Sequence, residues 1–163
     1  MALFNLTDLR SALPRGQRLL GLDPGSKLVG LALSDASLLL ASPYGSLKRG
    51  KLAANAAELR AIVAKEAVGG LVAGLPLSMD GSFGPAAQAA KDWATALSEA
   101  TGLPAALWDE RLSSAAVNRM MVAEADLTRA KRAWAVDGAA AAWTLQAALD
   151  ATTGGGTGGS PPR

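Results

Sequence analysis

The stretch LLGLDPGSKLVGLALSD, residues 19–35, places an acidic residue and a Pro-Gly turn between two apolar runs. Each run has the length and composition of a buried strand, and Asp, Pro and Gly are typical turn residues. The stretch therefore predicts two strands joined by a short turn, with Asp23 at the end of the first strand. Asp23 is either a plain turn residue or a metal ligand, and the local sequence leaves both interpretations open.

The composition predicts one soluble, cytoplasmic domain. The chain has 163 residues, of which 50% are hydrophobic and 18% are charged, so it is long enough to bury a core. No apolar run reaches the roughly 18 residues that cross a membrane, and the N-terminus lacks the pattern of a signal peptide. A net charge of +2 and a pI near 9.2 permit a nucleic-acid partner without requiring one.

The chain contains neither cysteine nor histidine. Disulfides, thiolate catalysis and zinc sites with sulfur ligands are therefore excluded, and so is the usual general base of enzymes. An enzyme of this composition must rely on carboxylates, Lys, Ser, Thr or Tyr. A metal held by its carboxylates would be an oxygen-seeking cation such as Mg²⁺ or Mn²⁺.

Apolar periodicity predicts strands and helices in the rest of the chain. Leucines at helical spacing predict a short helix within residues 1–16. The stretch LLLASPYGSL predicts a third strand, in which Pro43 favours either an edge position or an interruption of the strand. A helical pattern after residue 50 is predicted to end at Gly69-Gly70. Further strands are predicted at 71–76 and 105–110, and further helices at 86–100, 114–125 and 129–149. The predicted organisation is a leader segment with a short helix (1–18), an α/β domain (19–150) and a disordered Gly/Pro-rich tail (151–163).

Acidic residues occur where two predicted strands end and on a late helix. Asp23 ends the first strand, Asp109 and Glu110 end the last, and Asp137 lies on the helix. Ligands gather at the carboxyl ends of parallel strands, and clustered carboxylates repel one another unless a cation lies among them. Alternatively, Asp109 and Glu110 form a solvated strand end beside Arg111, and Asp137 is a helix-surface charge.

Two further features are compatible with a binding site. Gly138 costs about 1 kcal/mol relative to alanine inside a helix, so the close approach of another backbone or of a ligand would explain it, as would neutral drift. The loop at 77–84 leads into a helix N-terminus, where backbone N–H groups suit an anion, although an ordinary turn is equally compatible. Seven basic residues are candidates for nucleic-acid contacts: Lys27, Lys48, Arg49, Arg111, Arg129, Lys131 and Arg132.

Four segments resemble the YqgF/RuvX family, nucleases related to the Holliday-junction resolvase RuvC. They are LGLDPGSKLVGLALSD, VAGLPLSMDGSFGP, LPAALWDERLSS and AKRAWAVDGAAAAWTLQAALD, and they span residues 19–150. The resemblance implies an RNase H-like α/β fold, with a five-stranded mixed sheet and helices on both faces, and a divalent-metal active site. Asp23, Glu110 and Asp137 match the family's metal-binding acids. Asp109 is a further catalytic candidate, but adjacent strand residues point to opposite faces, so we favour Glu110 as the ligand.

The resemblance also implies an activity. The family is associated with processing the 5′ end of pre-16S rRNA, so we expect a metal-dependent endonuclease that uses Mg²⁺ or Mn²⁺ on structured RNA. A DNA junction resolvase with the same carboxylates and a non-catalytic nucleic-acid-binding module remain alternatives. An ATPase of the actin and sugar-kinase class is disfavoured because the chain has only one such hairpin. The expected partners are precursor rRNA or branched DNA and no membrane, and the protein is expected to be a monomer or a homodimer.

Overall fold

The computed structural model of the protein describes residues 3–24, 27–75, 83–109 and 138–157. The predicted helix 114–125, the first part of the predicted helix 129–149 and most of the loop 77–84 lie outside these ranges. The described strands are β1 (Leu3–Phe4), β2 (Arg18–Pro24), β3 (Leu28–Ser34), β4 (Ala41–Lys48), β5 (Val68–Leu75) and β6 (Ala105–Asp109). The described helices are α1 (Leu6–Ala12), α2 (Leu52–Glu66), α3 (Pro85–Thr101) and α4 (Ala139–Thr157).

The strands form one mixed sheet in the order β1-β6-β5-β2-β3-β4. The strands β1, β6, β5 and β2 run parallel to their neighbours, whereas β2–β3 and β3–β4 are antiparallel pairs. This arrangement confirms the predicted five-stranded mixed sheet, to which the two-residue β1 adds a short edge. It also brings the carboxyl ends of β2, β5 and β6 to the same end of the sheet. We call this end, at which the strands terminate, the Asp23 edge; it is not the outermost strand on either side of the sheet.

The position of each strand follows from its side chains. β5 lies in the centre and is buried along nearly its whole length, as expected for a strand with parallel neighbours and helices on both faces. β4 is the last strand of the sheet. A proline, which has no N–H group, is tolerated in such an edge strand. The register between β3 and β4 shifts between Leu31 and Ala32. The edge position predicted from Pro43 is therefore confirmed.

Helices cover both faces of the sheet, as predicted. One face packs against α2 and α3 and contains Leu20 and Leu22 in its core. The other face packs against α1 and α4 and contains Leu19 with Leu145. Neighbouring residues of β2 thus serve opposite layers, because successive side chains of a strand point to opposite faces.

Two predicted boundaries are wrong. The helix α2 ends at Glu66, with Ala67 in the left-handed region (φ 56°), and Gly69-Gly70 already belongs to β5. Gly70 provides room for α1, because a Cβ there would lie 3.1 Å from Leu9 Cδ1. These glycines serve tertiary packing and do not terminate the helix.

The second corrected boundary is the start of the tail. Helix α4 continues to Thr157, past the predicted start of the tail at residue 151. Thr152 is only 7% exposed, and its Oγ1 accepts a hydrogen bond from Arg10 Nη1 at 3.1 Å. The contact with α1 thus orders a part of the chain whose composition alone predicts disorder.

No helix in the described part of the chain is long and apolar enough to cross a membrane.

Candidate functional site

Asp23 lies at the carboxyl end of β2, on the face of the sheet that α4 covers. It is directly opposite Gly30 of β3 and is half-buried. A Cβ placed on Gly30 would lie 3.6 Å from Asp23 Cβ, 3.7 Å from Ala141 Cβ and 3.8 Å from Gly138 Cα. Asp23 and the first turn of α4 therefore flank the same small space above Gly30.

Glycines on both neighbouring strands leave room around Asp23. On β3 the opposite residue is Gly30. On β5, Ala73 pairs with Leu22, so the next position along the strand, beside Asp23, is Gly74. The sequence alone gives no sign of these glycines, because their relation to Asp23 depends on strand order and register. A strand-end carboxylate with glycines on both sides can accept a ligand that a side chain would displace.

Gly138 sets the distance between α4 and the sheet. Its φ is +85°, and a Cβ there would lie 2.8 Å from the carbonyl oxygen of Leu31 and 3.1 Å from that of Gly45. Its own carbonyl accepts the backbone N–H of Ala142 at 2.9 Å, the first hydrogen bond of the helix. Of the explanations that the sequence left open, close approach to another backbone is therefore confirmed, but the predicted position of Gly138 inside a helix is wrong, because the residue lies just before α4, which starts at Ala139. Gly138 directly follows Asp137, which lies outside the described residues.

Asp109 reaches the same edge but lies on the other face. It is the last residue of β6 and pairs with Leu75. Leu107 packs in the core beneath α2 and α3, whereas Trp108 packs in the core beneath α1 and α4. Alternation then places Asp109 on the α2/α3 face. The structure brings Asp23 and Asp109 to one edge and separates them by the thickness of the sheet.

A buried hydrogen-bond donor lies on the same face as Asp23. Trp108 pairs with Gly74, so it occupies the same row across the sheet, one strand beyond that glycine. Its Nε1 is buried and has no hydrogen-bond partner among the described residues. The described residues offer this N–H no acceptor, and a buried donor left unpaired costs about 1–3 kcal/mol.

Three of the predicted basic residues meet at the Asp23 edge. Lys48 pairs with Leu28, the residue after Lys27, and the backbone N–H of Arg49 donates to the Lys27 carbonyl at 2.8 Å. The Arg49 guanidinium lies over the Trp93 ring, 5.2 Å from its centroid. The other four candidates lie outside the described residues: Arg111, Arg129, Lys131 and Arg132.

The described ranges contain only part of the predicted acidic set. Glu110 and Asp137 lie outside them, and within them no three acidic side chains are grouped closely enough to hold a metal ion. Asp23 is thus the one predicted ligand whose surroundings are seen. A carboxylate at this position is the type of ligand that an oxygen-seeking divalent cation prefers.

Comparisons with known proteins agree with this architecture. The model of the RuvX family, described as a Holliday junction resolvase, matches residues 17–151. A Gluconacetobacter diazotrophicus protein named "Putative pre-16S rRNA nuclease" is 68% identical over 152 residues, which cover 93% of this chain and 99% of that protein. A protein of the same name from Acidiphilium cryptum is 65% identical over 150 residues, covering 92% of this chain and 94% of its own length.

A solved structure shares the fold. T. thermophilus RuvC, in complex with a Holliday junction substrate, superposes with a TM-score of 0.54 at 17% identity, over 85% of this chain and 96% of that one. This likeness confirms the predicted RNase H-like fold and says nothing further about activity. Because the family model matches the chain from the start of β2 to residue 151, within α4, the chain belongs to the RuvX family.

Proposed function

We propose that this chain is a metal-dependent nuclease that hydrolyses phosphodiester bonds in structured RNA and processes the 5′ end of pre-16S rRNA. The observation that carries the chemistry is the position of Asp23, at the edge of the sheet beside the first turn of α4. The names of relatives 68% and 65% identical support the choice of substrate. The proposed substrate implies a cytoplasmic location and a nucleic-acid partner.

We assign the metal to Asp23, Glu110 and Asp137. The position of Gly138 within the same small space as Asp23 supports a role for Asp137, which precedes it in the sequence. The position of Asp109 on the opposite face supports Glu110 as the ligand from the last strand, because side chains alternate along a strand. Asp109 then serves the site indirectly, by holding the end of β6.

The donor set fits Mg²⁺ or Mn²⁺, since it consists of carboxylate oxygens alone. When bound, such a cation supplies Lewis-acid activation of the phosphodiester and of the attacking water. The chain's own residues orient the substrate. The basic residues hold the phosphate backbone.

Replacing Asp23 by asparagine tests the proposal. Asp23→Asn keeps the size of the side chain and removes its charge, so we expect cleavage of a pre-16S rRNA transcript to fall at least about 100-fold in Mn²⁺. The circular dichroism spectrum should match the wild type, because Asp23 is half-buried at the sheet edge rather than in the core. Rates and fragment ends are measured on purified protein.

Two matched variants make this experiment specific. Asp92→Asn changes the same charge on the exposed surface of α3 and should leave the cleavage rate unchanged. Asp109→Asn should reduce the rate much less than Asp23→Asn if Asp109 acts indirectly. Unchanged cleavage by the Asp23 variant would overturn the assignment of the active site.

Resolution of branched DNA is a second candidate, because the description of the matching family model names that activity. A junction resolvase cuts two symmetric strands and needs two active sites, so it acts as a homodimer. Incubating the same protein with a four-way DNA junction, and measuring its mass in solution, separates the two activities. Symmetric cuts in DNA by a dimer, with RNA left intact, would replace our proposal. Binding of both substrates without cleavage would instead indicate a non-catalytic module.

A further inference from the structure

The loop between β4 and α2 concentrates positive charge at the Asp23 edge. Residues 48–51 read Lys-Arg-Gly-Lys, all four are exposed, and we call them the basic loop. Within the described ranges no ion pair neutralises Lys48 or Lys51. Helix α2, which follows the loop, has no acidic residue in its first turn. The local potential is therefore positive, whereas the net charge of the whole chain is only +2.

A buried asparagine holds the basic loop from beneath. Asn55 is 1% exposed. Its Oδ1 accepts the backbone N–H of Gly50 at 3.0 Å, and its Nδ2 donates to the carbonyl of Lys48 at 2.9 Å and to Glu58 Oε1 at 3.2 Å. A buried amide with both ends bonded to one loop fixes the path of that loop. Helix formation alone gives no reason for an asparagine at a position that faces the core.

Arg49 is held on both its backbone and its side chain. Its backbone N–H donates to the Lys27 carbonyl at 2.8 Å, which ties the loop to the start of β3. Its guanidinium lies 5.2 Å from the centroid of the Trp93 ring, and Trp93 in turn packs against the core beneath α2 and α3. A stacked guanidinium keeps its charge, and part of its conformational freedom is already lost before a ligand binds.

The strand order gives the distance from the basic loop to Asp23. The loop follows β4, which lies two strands from β2 on the same edge. Asp23 pairs with Gly30, which pairs with Ser46, so Lys48 lies two residues beyond the row of Asp23. With strands about 4.8 Å apart and a rise of about 3.3 Å per residue, the backbones of Lys48 and Asp23 are roughly 12 Å apart. Arg49 lies over Trp93 on the α2/α3 face, the face opposite Asp23. A phosphate held at the loop is therefore not the one that is cut at Asp23.

We propose that the basic loop is a preorganised site for the phosphate backbone of the substrate, outside the position of the bond that is cut at Asp23, and that Asn55 is its positioning residue. This inference rests on the proposed nuclease function and adds to it the place where the uncut part of the strand is held. Because the loop is ordered before binding, contact with phosphate costs little further conformational entropy.

Salt dependence of binding tests the phosphate contacts. Binding is measured by fluorescence anisotropy in the Asp23→Asn background, with a pre-16S rRNA transcript and, in parallel, with a four-way DNA junction. Lys48→Gln and Arg49→Gln should each reduce the slope of log K against log salt by about 0.7–0.9, the value for one phosphate contact. Lys65→Gln removes the same charge at the other end of α2 and should leave the slope unchanged.

A third variant tests the role of Asn55. Asn55→Ala leaves the charge of the protein unchanged, so a purely structural role would lower the melting temperature without changing the salt slope. Our proposal predicts a smaller slope at a temperature where the variant is folded, as expected when the loop no longer presents its cations together. Lys48 and Arg49 are exposed, so their variants should fold and the test does not depend on Asn55→Ala.

The outcomes separate this inference from the nuclease assignment. The proposal of a binding site at the basic loop would be overturned by one result. In that result, the slope of log K against log salt is the same for Lys48→Gln and Arg49→Gln as for Lys65→Gln, with RNA and with DNA. A reduced slope on either substrate supports it, whatever Asp23→Asn does to cleavage. After the fragment ends have been mapped, neutral methylphosphonates are placed one at a time at successive positions from the cut. One of these positions should weaken binding by the parent protein and have little effect on binding by Arg49→Gln.

Discussion

Gly138 shows how one residue can set the spacing between a helix and a sheet. Its positive φ and its contact with the Leu31 carbonyl both exclude a side chain. A left-handed conformation costs a non-glycine residue about 1–2 kcal/mol, and a Cβ at 2.8 Å from a backbone oxygen forces the helix or the strand to move. Since Asp23 lies in the same small space, such a movement changes the candidate site as well as the stability.

We therefore expect Gly138→Ala to lower the free energy of unfolding by about 2 kcal/mol or more, measured by urea denaturation. Gly102→Ala is the matched control, because Gly102 also has a positive φ (+76°) but has nothing within 4 Å of its Cβ position. The control should show only the conformational cost. Equal losses in the two variants would contradict a close contact at Gly138.

At the scale of elements, α4 is joined to α1 and to the loop before β4. Arg10 Nη1 donates to the Leu149 carbonyl at 3.3 Å and to Thr152 Oγ1 at 3.1 Å. Gln146 bonds the backbone on both sides of Leu40, through the carbonyl of Leu39 and the N–H of Ala41. Burial lowers the pKa of the Arg10 guanidinium, which nevertheless stays protonated at neutral pH. The end of α4 is thus part of the folded domain.

A chain that ends at residue 150, the predicted domain boundary, should therefore be less stable than the full chain. It loses the buried Thr152 and leaves Arg10 without one of its acceptors, for an expected loss of about 1–3 kcal/mol in the free energy of unfolding. A chain that ends at residue 157 keeps every described contact and is the control. Equal melting temperatures for the two truncations would show that the contact between Arg10 and Thr152 contributes nothing measurable.

At the scale of the whole molecule, the first residues of the chain belong to the same core as the candidate site. Strand β1 extends the sheet beside β6, and α1 packs on the same face as α4. Leu9 is 0% exposed and fills the space above Gly70 of the central strand. The segment predicted as a leader is therefore part of the layer that covers the Asp23 face.

We expect Leu9→Ala to lower the free energy of unfolding by about 2–5 kcal/mol, the range for a fully buried leucine. Leu40→Ala makes the same substitution at a leucine that is 65% exposed and should change stability by less than about 0.5 kcal/mol. Both are measured by urea denaturation. A loss for Leu9→Ala no larger than that for Leu40→Ala would show that α1 contributes little to the core.

The sequence by itself determined the features that depend on neighbours along the chain. Alternating apolar runs around Asp23 predicted the β2–β3 hairpin and the acid at the strand end. The helix predicted at 86–100 corresponds to α3, which begins at Pro85 and is followed by Gly102, and Pro43 was compatible with the edge strand. The absence of Cys and His limited the chemistry to oxygen ligands. Each of these inferences uses only local periodicity, backbone conformation or side-chain type.

Tertiary structure alone decided the features that depend on residues far apart in sequence. It placed Asp109 on the face opposite Asp23, set glycines on both sides of Asp23, and put Gly69-Gly70 into β5. It also showed why Asn55 shares the helical spacing of Leu59 and Ile62, since the buried amide bonds the basic loop. The physical reason is that burial and hydrogen bonding across strands and helices depend on strand order and register, which local periodicity does not contain.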